Sequence, residues 1–295
     1  MATLSHETLI ARVRAGESLS QPEVTELASS PDILILGMLA DEMRRTMRGT
    51  RVTFVRVASR ALDEKSQSPL PPAAREVRLI GKPQSLAQAI AEVTAAKAVA
   101  KGLPVSGLSL ADVESLAEGK AMQSALRDLR QAGLDMIAEA PLDRLVNAEN
   151  ALDAVTNAGY ERIRLTVDRA SADERLAMVF RAQELRSRFP IVAAIHPLPT
   201  VLNAFRPTTG YEDVKMVALA RLAAPDIATV QVDWLRYGPK LAQVALTFGA
   251  DDLDNVPAAD DTPEGTRRTT LAEVRRNIEA AGFEPVERDG RFVVR

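Results

Sequence analysis

The chain of 295 residues holds two histidines, His6 and His196, and no cysteine. Two imidazoles cannot make a His-rich metal site within one chain. The absence of cysteine removes disulfides, thiolate zinc sites, cysteine nucleophiles and cysteine-ligated clusters. The other groups able to do chemistry gather toward the C-terminus. His196 ends the apolar run IVAAIH before Pro197, where a neutral imidazole could bond a ligand or move a proton. A histidine satisfied by backbone groups fits the same position. Arg206, Thr208 and Thr209 offer a guanidinium fork and hydroxyls suited to a carboxylate or phosphate, and Thr209 also reads as a helix cap. Asp233 and Trp234 could hydrogen-bond and stack on a nucleoside-like ligand; a tryptophan filling a barrel mouth is the alternative. Asp251, Asp252 and Asp254 are the oxygen donors a hard cation prefers, yet the run also suits a solvated loop or helix caps, and no metal site is expected. Ser59 and Ser106 have no neighbouring histidine and no GxSxG elbow, and no GxxxxGK[ST] phosphate loop occurs.

These groups need elements to hold them. β-rich runs at 53–58, 76–81, 103–108, 136–140, 163–168, 191–196, 229–234 and 244–249 predict eight strands. Helical patterns intervene at 85–100, 111–132, 148–158, 172–189, 211–222 and 238–242. Strand–helix alternation implies parallel pairing, and eight strands fit a (β/α)8 TIM-type barrel better than an open doubly wound sheet, which has no GxGxxG after its first strand here. The expected division is an N-terminal helical lead over 1–50, the barrel over 51–260, and an appendage of helix and hairpin over 261–295 with Asp289-Gly290 as the turn. In the lead, Ser20 and Glu23 form a capping box and Pro31-Asp32 opens a further helix. Barrel ligands bind where strands end, so these strands would bring His196, Asp233, Trp234, Asp251 and Asp252 to one mouth.

A formal net charge of −3 and 4 % aromatic residues give no footprint for nucleic acid or an anionic membrane. No apolar run approaches the ~20 residues of a membrane span. The polar N-terminus lacks the apolar core of a signal peptide, so a cytoplasmic protein is the expectation.

Three segments carry a resemblance. Phe205–Lys215 (FRPTTGYEDVK) runs into Ala220-Arg221-Leu222; Val232–Leu235 leads to Tyr237–Gln243; and Leu246–Asp254 reads LTFGADDLD. Together they resemble aminofutalosine synthase, a radical S-adenosylmethionine (SAM) enzyme of the futalosine route to menaquinone, related to cyclic dehypoxanthine futalosine synthase and FO synthase. Met38–Val55 and Ala281–Asp289 extend the likeness. It implies a radical-SAM-like barrel with N-terminal helices.

The departures are as informative. Where the family carries CxxxCxxC after the first strand, this chain reads Arg56–Lys65 without a thiol, which excludes an iron–sulfur cluster. Where the family has a Gly-Gly pair it reads Gly81-Lys82-Pro83, and a lysine beside the SAM ammonium argues against normal docking. The family's Gly-His turn is Val167–Ala170 here. No cofactor is expected. The resemblance implies a non-catalytic partner or regulator of a cysteine-bearing paralogue. The alternative is a cluster-independent enzyme or sensor for an aromatic acid or nucleoside, with His196 as acid–base group.

Overall fold

The computed structural model describes residues 6–62, 69–117, 121–201, 205, 207–259 and 270–295. Three helices lead: α1 (His6–Arg14), α2 (Gln21–Ser29) and α3 (Ile33–Arg48). Their starts follow local chemistry. The Ser20 hydroxyl accepts from the Glu23 amide while the Glu23 carboxylate accepts from the Ser20 amide at 2.7 Å, and Asp32 accepts from the amides of Leu34 and Ile35.

The strands are β1 (Arg51–Ala61), β2 (Glu76–Ile80), β3 (Val105–Ser109), β4 (Met136–Pro141), β5 (Ile163–Val167), β6 (Val192–Pro199), β7 (Thr229–Asp233) and β8 (Asp252–Pro257). Each pairs in parallel with its neighbour, and β1 pairs with both β2 and β8, closing an eight-stranded barrel. The outer helices are α4 (Leu86–Val99), α5 (Leu110–Leu116), α6 (Met122–Ala132), α7 (Ala148–Asn157), α8 (Ala172–Arg188), α9 (Gly210–Ala223) and α10 (Trp234–Leu246). The helix α11 (Leu271–Ala280) and a short strand β9 (Glu284–Glu287) follow. This is the (β/α)8 barrel expected, with helices before it and a small appendage after it.

Four expectations need correction. The eighth strand is Asp252–Pro257, not residues 244–249, which end α10 and turn back at Gly249 (φ +98°). Ala242, Ala245 and Leu246 of that run are buried at helical spacing, a period that the short apolar run hid. The weakly marked helix at 238–242 is the longer α10, kinked at Gly238 (φ +76°). The pattern over 111–132 is two helices, α5 and α6. The terminal hairpin is reduced to one antiparallel bridge, Arg288 with Val294, because 284–287 pairs instead with β1.

That pairing depends on the length of β1. Its upper part, Val57–Ala61, meets β2; its lower part, Arg51–Phe54, meets β9 on the same edge. One apolar core runs from Leu9 in α1 through the strands to Phe283 before β9. Arg44 of α3 is fully buried, with its guanidinium 3.9 Å above the Phe283 ring, so helical lead and appendage meet beneath the barrel.

Candidate functional site

Alternate strand residues point inward, and here many of them are charged. Arg78 of β2 forks onto Asp254 of β8 at 2.8 and 3.0 Å, and its Nε donates to Glu76 at 2.8 Å. Arg164 of β5 reaches the same Asp254 across the lumen and donates to the Ala138 carbonyl at 2.9 Å. Ser106 donates to Glu76. Lower down, Arg288 follows β9 into the barrel and forks onto Asp252 at 2.5 and 2.7 Å, where Gln231 also donates at 2.8 Å. Thr53 completes the shell of Asp252. Arg78, Arg164 and Arg288 thus balance Glu76, Asp252 and Asp254, and all six side chains are no more than 10 % exposed. Burial pushes the Asp254 carboxyl up, but Arg164, Arg78 and Arg288 outweigh it and hold the group well below the usual carboxylate range.

Asp251 and Asp252 therefore do not lie at the ligand mouth. Both stand at the opposite end, where β8 begins. Asp251 points outward and is locked by Arg221 (2.7 Å), Arg48 (2.9 Å) and the Val230 amide (2.8 Å). The misplacement follows directly from the misread eighth strand.

The mouth does bring His196 and Asp233 together. The His196 ring is 3 % exposed; its Nδ1 lies 2.9 Å from the Leu198 carbonyl and its Nε2 accepts from the Asp233 amide at 3.2 Å. Both nitrogens are thus engaged by backbone, with the proton on Nδ1. Burial lowers the pKa to about 4 although Asp233 opposes it, so the ring is neutral near pH 7. The Asp233 carboxylate caps α10, accepting from the Arg236 amide at 2.8 Å and from Asn255 at 3.1 Å. Trp234 is 1 % exposed and belongs to the core. Thr209 caps α9 in a capping box with Glu212, and Thr208 donates to Asp213 at 3.1 Å. Arg206 lies outside the described residues.

A cleft of about 330 Å³ opens over the strand ends, lined by Ser109, Asp112, Glu139, Arg144, Asp168 and Arg236, among others. Arg144 spans Asp112 (2.9 Å) and Asp168 (3.3 Å), and Thr200 donates to Asp168 at 2.7 Å. The Asp143 carboxylate accepts the amides of Asp168, Arg169 and Ala170 at 2.6–2.9 Å, which fixes the loop after β5. The sequence reading missed Arg144 and Asp112. Their signal was position alone: a charge within a few residues of a barrel strand's C-terminal end.

Among the described residues no group of three His, Asp or Glu side chains could hold a metal ion. The whole chain offers no thiolate, so its donor set does not fit an iron–sulfur cluster.

The C-terminal third, residues 196–295, matches the family model of the CofH/MqnC C-terminal region. The matched residues include His196, Asp233, Asp251, both acids of β8 and the tail with Arg288. Over 230 residues the chain is 29 % identical to 5-amino-6-(D-ribitylamino)uracil–L-tyrosine 4-hydroxyphenyl transferase 2 of Methanosarcina mazei, covering 65 % of this chain and 60 % of that one. Over 95 residues it is 38 % identical to aminodeoxyfutalosine synthase of Streptomyces coelicolor, covering 29 % of this chain and 24 % of the relative. The chain spans about 60 % of the length of the hydroxyphenyl transferases it matches over most of its length. Among solved structures, methylornithine synthase superposes with a TM-score of 0.66 at 15 % identity, over 94 % of this chain and 97 % of the other. The hydrogenase maturase HydG of Carboxydothermus hydrogenoformans superposes at 0.68 with 13 % identity, over 97 % and 80 %. These likenesses show the fold alone, a (β/α)8 barrel. The chain is thus similar to aminodeoxyfutalosine synthases and hydroxyphenyl transferases, and it has no cysteine.

Proposed function

We propose that this CofH/MqnC-type barrel is a non-catalytic homologue, serving as partner or regulator of a cysteine-bearing member of the group in menaquinone biosynthesis, and that it holds neither an iron–sulfur cluster nor SAM. The observation that carries the reading is the interior network. A barrel enzyme needs room at its strand ends for the reacting groups, with polar side chains free to meet them. Here Arg78, Arg164 and Asp254 spend their hydrogen-bonding capacity on one another across the lumen. His196 spends both ring nitrogens on backbone. Such a barrel can present a surface without turning over a substrate. A cytoplasmic setting accords with the cysteine-bearing partner proposed.

Co-expression with a cysteine-bearing aminofutalosine synthase from the same genome tests the proposal. The expected result is co-elution of the two chains and altered turnover by the partner. Separate elution with unchanged turnover would overturn it. Anaerobic treatment of the purified chain with iron and sulfide should leave no sulfide-to-iron charge-transfer absorbance, as expected of a protein without thiolate ligands.

A second reading is favoured by the cleft over the mouth: a sensor or cluster-independent enzyme for an aromatic acid or nucleoside. Arg144 and Arg236 supply the cationic groups for such a ligand. Calorimetric titration with SAM, aminofutalosine and a carboxyvinyl-benzoate analogue separates the readings. Binding of either substrate-like compound without SAM selects the second; binding of none leaves the first.

A further inference from the structure

We propose that a second cleft, at the opposite end of the barrel, binds a small anion through a phosphoryl group. The site does not rest on the functional reading above. Its cleft, of about 280 Å³, lies where β4 and β5 begin and is lined by Arg130 of α6, Arg162 before β5 and Arg291 of the tail. Three guanidinium groups from three distant parts of the chain thus face one space.

The acids beside them do not cancel this charge. Asp135 is already bound by Lys97 at 2.9 Å, Arg291 at 2.7 Å and the Val105 amide at 2.8 Å. Burial works to raise its pKa, but these donors prevail and hold it below the usual carboxylate range. Glu161 is the other acid, against four cations in all once Lys97 is included. The arginines also keep donors in reserve. A guanidinium carries five N–H groups. Among the described residues, Arg130 uses Nη1 on the Ala158 carbonyl at 3.3 Å. Arg162 uses Nη1 on the carbonyls of Arg291 and Phe292 at 2.9 and 3.2 Å, and Arg291 uses Nη2 on Asp135.

A carboxylate has two oxygens and matches one fork well; a phosphoryl group has three and accepts from several forks at once. Leu134, Met136, Tyr160 and Val293 supply apolar lining beside the cations, which suits a phosphate monoester with a small apolar body. Arg291 and Val293 belong to the tail that carries Arg288 into the lumen, so an occupant would brace that tail.

Calorimetry on the whole chain with phenyl phosphate, inorganic phosphate and benzoate tests the site, with thermal melts to confirm that each variant folds. Saturable one-to-one binding of phenyl phosphate is expected, weaker by at least about tenfold in Arg130→Gln and in Arg291→Gln, with Arg130→Lys intermediate. Amide exchange over residues 289–295 should slow on binding. Inorganic phosphate binding as tightly as the monoester supports the phosphoryl site and makes the free ion its occupant. No saturation, an unchanged Kd in Arg130→Gln, or benzoate binding as tightly as phenyl phosphate would overturn the proposal.

Discussion

Asp254 takes hydrogen bonds from Arg78 and Arg164 where almost no solvent can share the charge. Asp254→Ala would leave Arg164 buried without its counter-ion and Arg78 with Glu76 alone, and the expected loss is about 3–5 kcal/mol of stability in urea unfolding. His196 governs the acid side. Its pKa is about 4 in the fold against about 6.5 in an unfolded chain, so the unfolded state takes up a proton first as pH falls. Stability should therefore decline from pH 6.5 toward 4, by about 1.4 kcal/mol per pH unit from this group. Denaturation midpoints across that window check it, and His196→Gln should flatten the slope. Asp254, whose pKa is depressed, acts below that window: its contribution is present above about pH 4 and is lost as pH falls further. Little of this network was legible beforehand. The acids of β8 were visible as a cluster, but their arginines stand 36, 90 and 176 residues away, and nothing local marks such pairs.

The eighth strand shows why elements are harder to read than a fold class. DLDNVP carries two inward aspartates, a pattern that reads as a loop until three arginines are known to face them. The seven other strands were legible because each carries apolar, often β-branched residues in a short run that turns bound. The glycines around α10 give an ordered prediction. Gly238 has φ +76° with no atom within 4 Å of an added Cβ, whereas at Gly249 (φ +98°) that Cβ would lie 2.9 Å from the Arg221 Cβ and 3.1 Å from the Ala40 Cβ. Gly238→Ala should cost about 1–2 kcal/mol from backbone strain alone. Gly249→Ala should cost clearly more, because it also wedges α9 from α3; chemical denaturation of the two variants side by side tests the order.

At the scale of the molecule, the tail is part of the barrel. Removing residues 288–295 deletes Arg288 and, among the described residues, leaves Asp252 with Gln231 and Thr53 as side-chain hydrogen-bond partners. The whole chain, not just the appendage, should melt earlier, by roughly 5–10 °C in one transition if about 3 kcal/mol is lost. A separate low-temperature transition confined to the appendage would show that barrel and tail are uncoupled. The resemblance in the C-terminal third was readable because its motifs are contiguous. The use of its acids was not, because that depends on strands contributed by the rest of the chain.

The long strand β1 also has a consequence in time. It leaves the ribosome early, yet its partner β8 begins 199 residues after Thr53. At 5–20 residues per second, one edge of β1 waits roughly 10–40 s for its neighbour. During that interval it is an open strand edge able to pair with another chain. Slowing translation between β2 and β8 should lower the yield of folded protein, while the same delay placed after β9 should leave it unchanged.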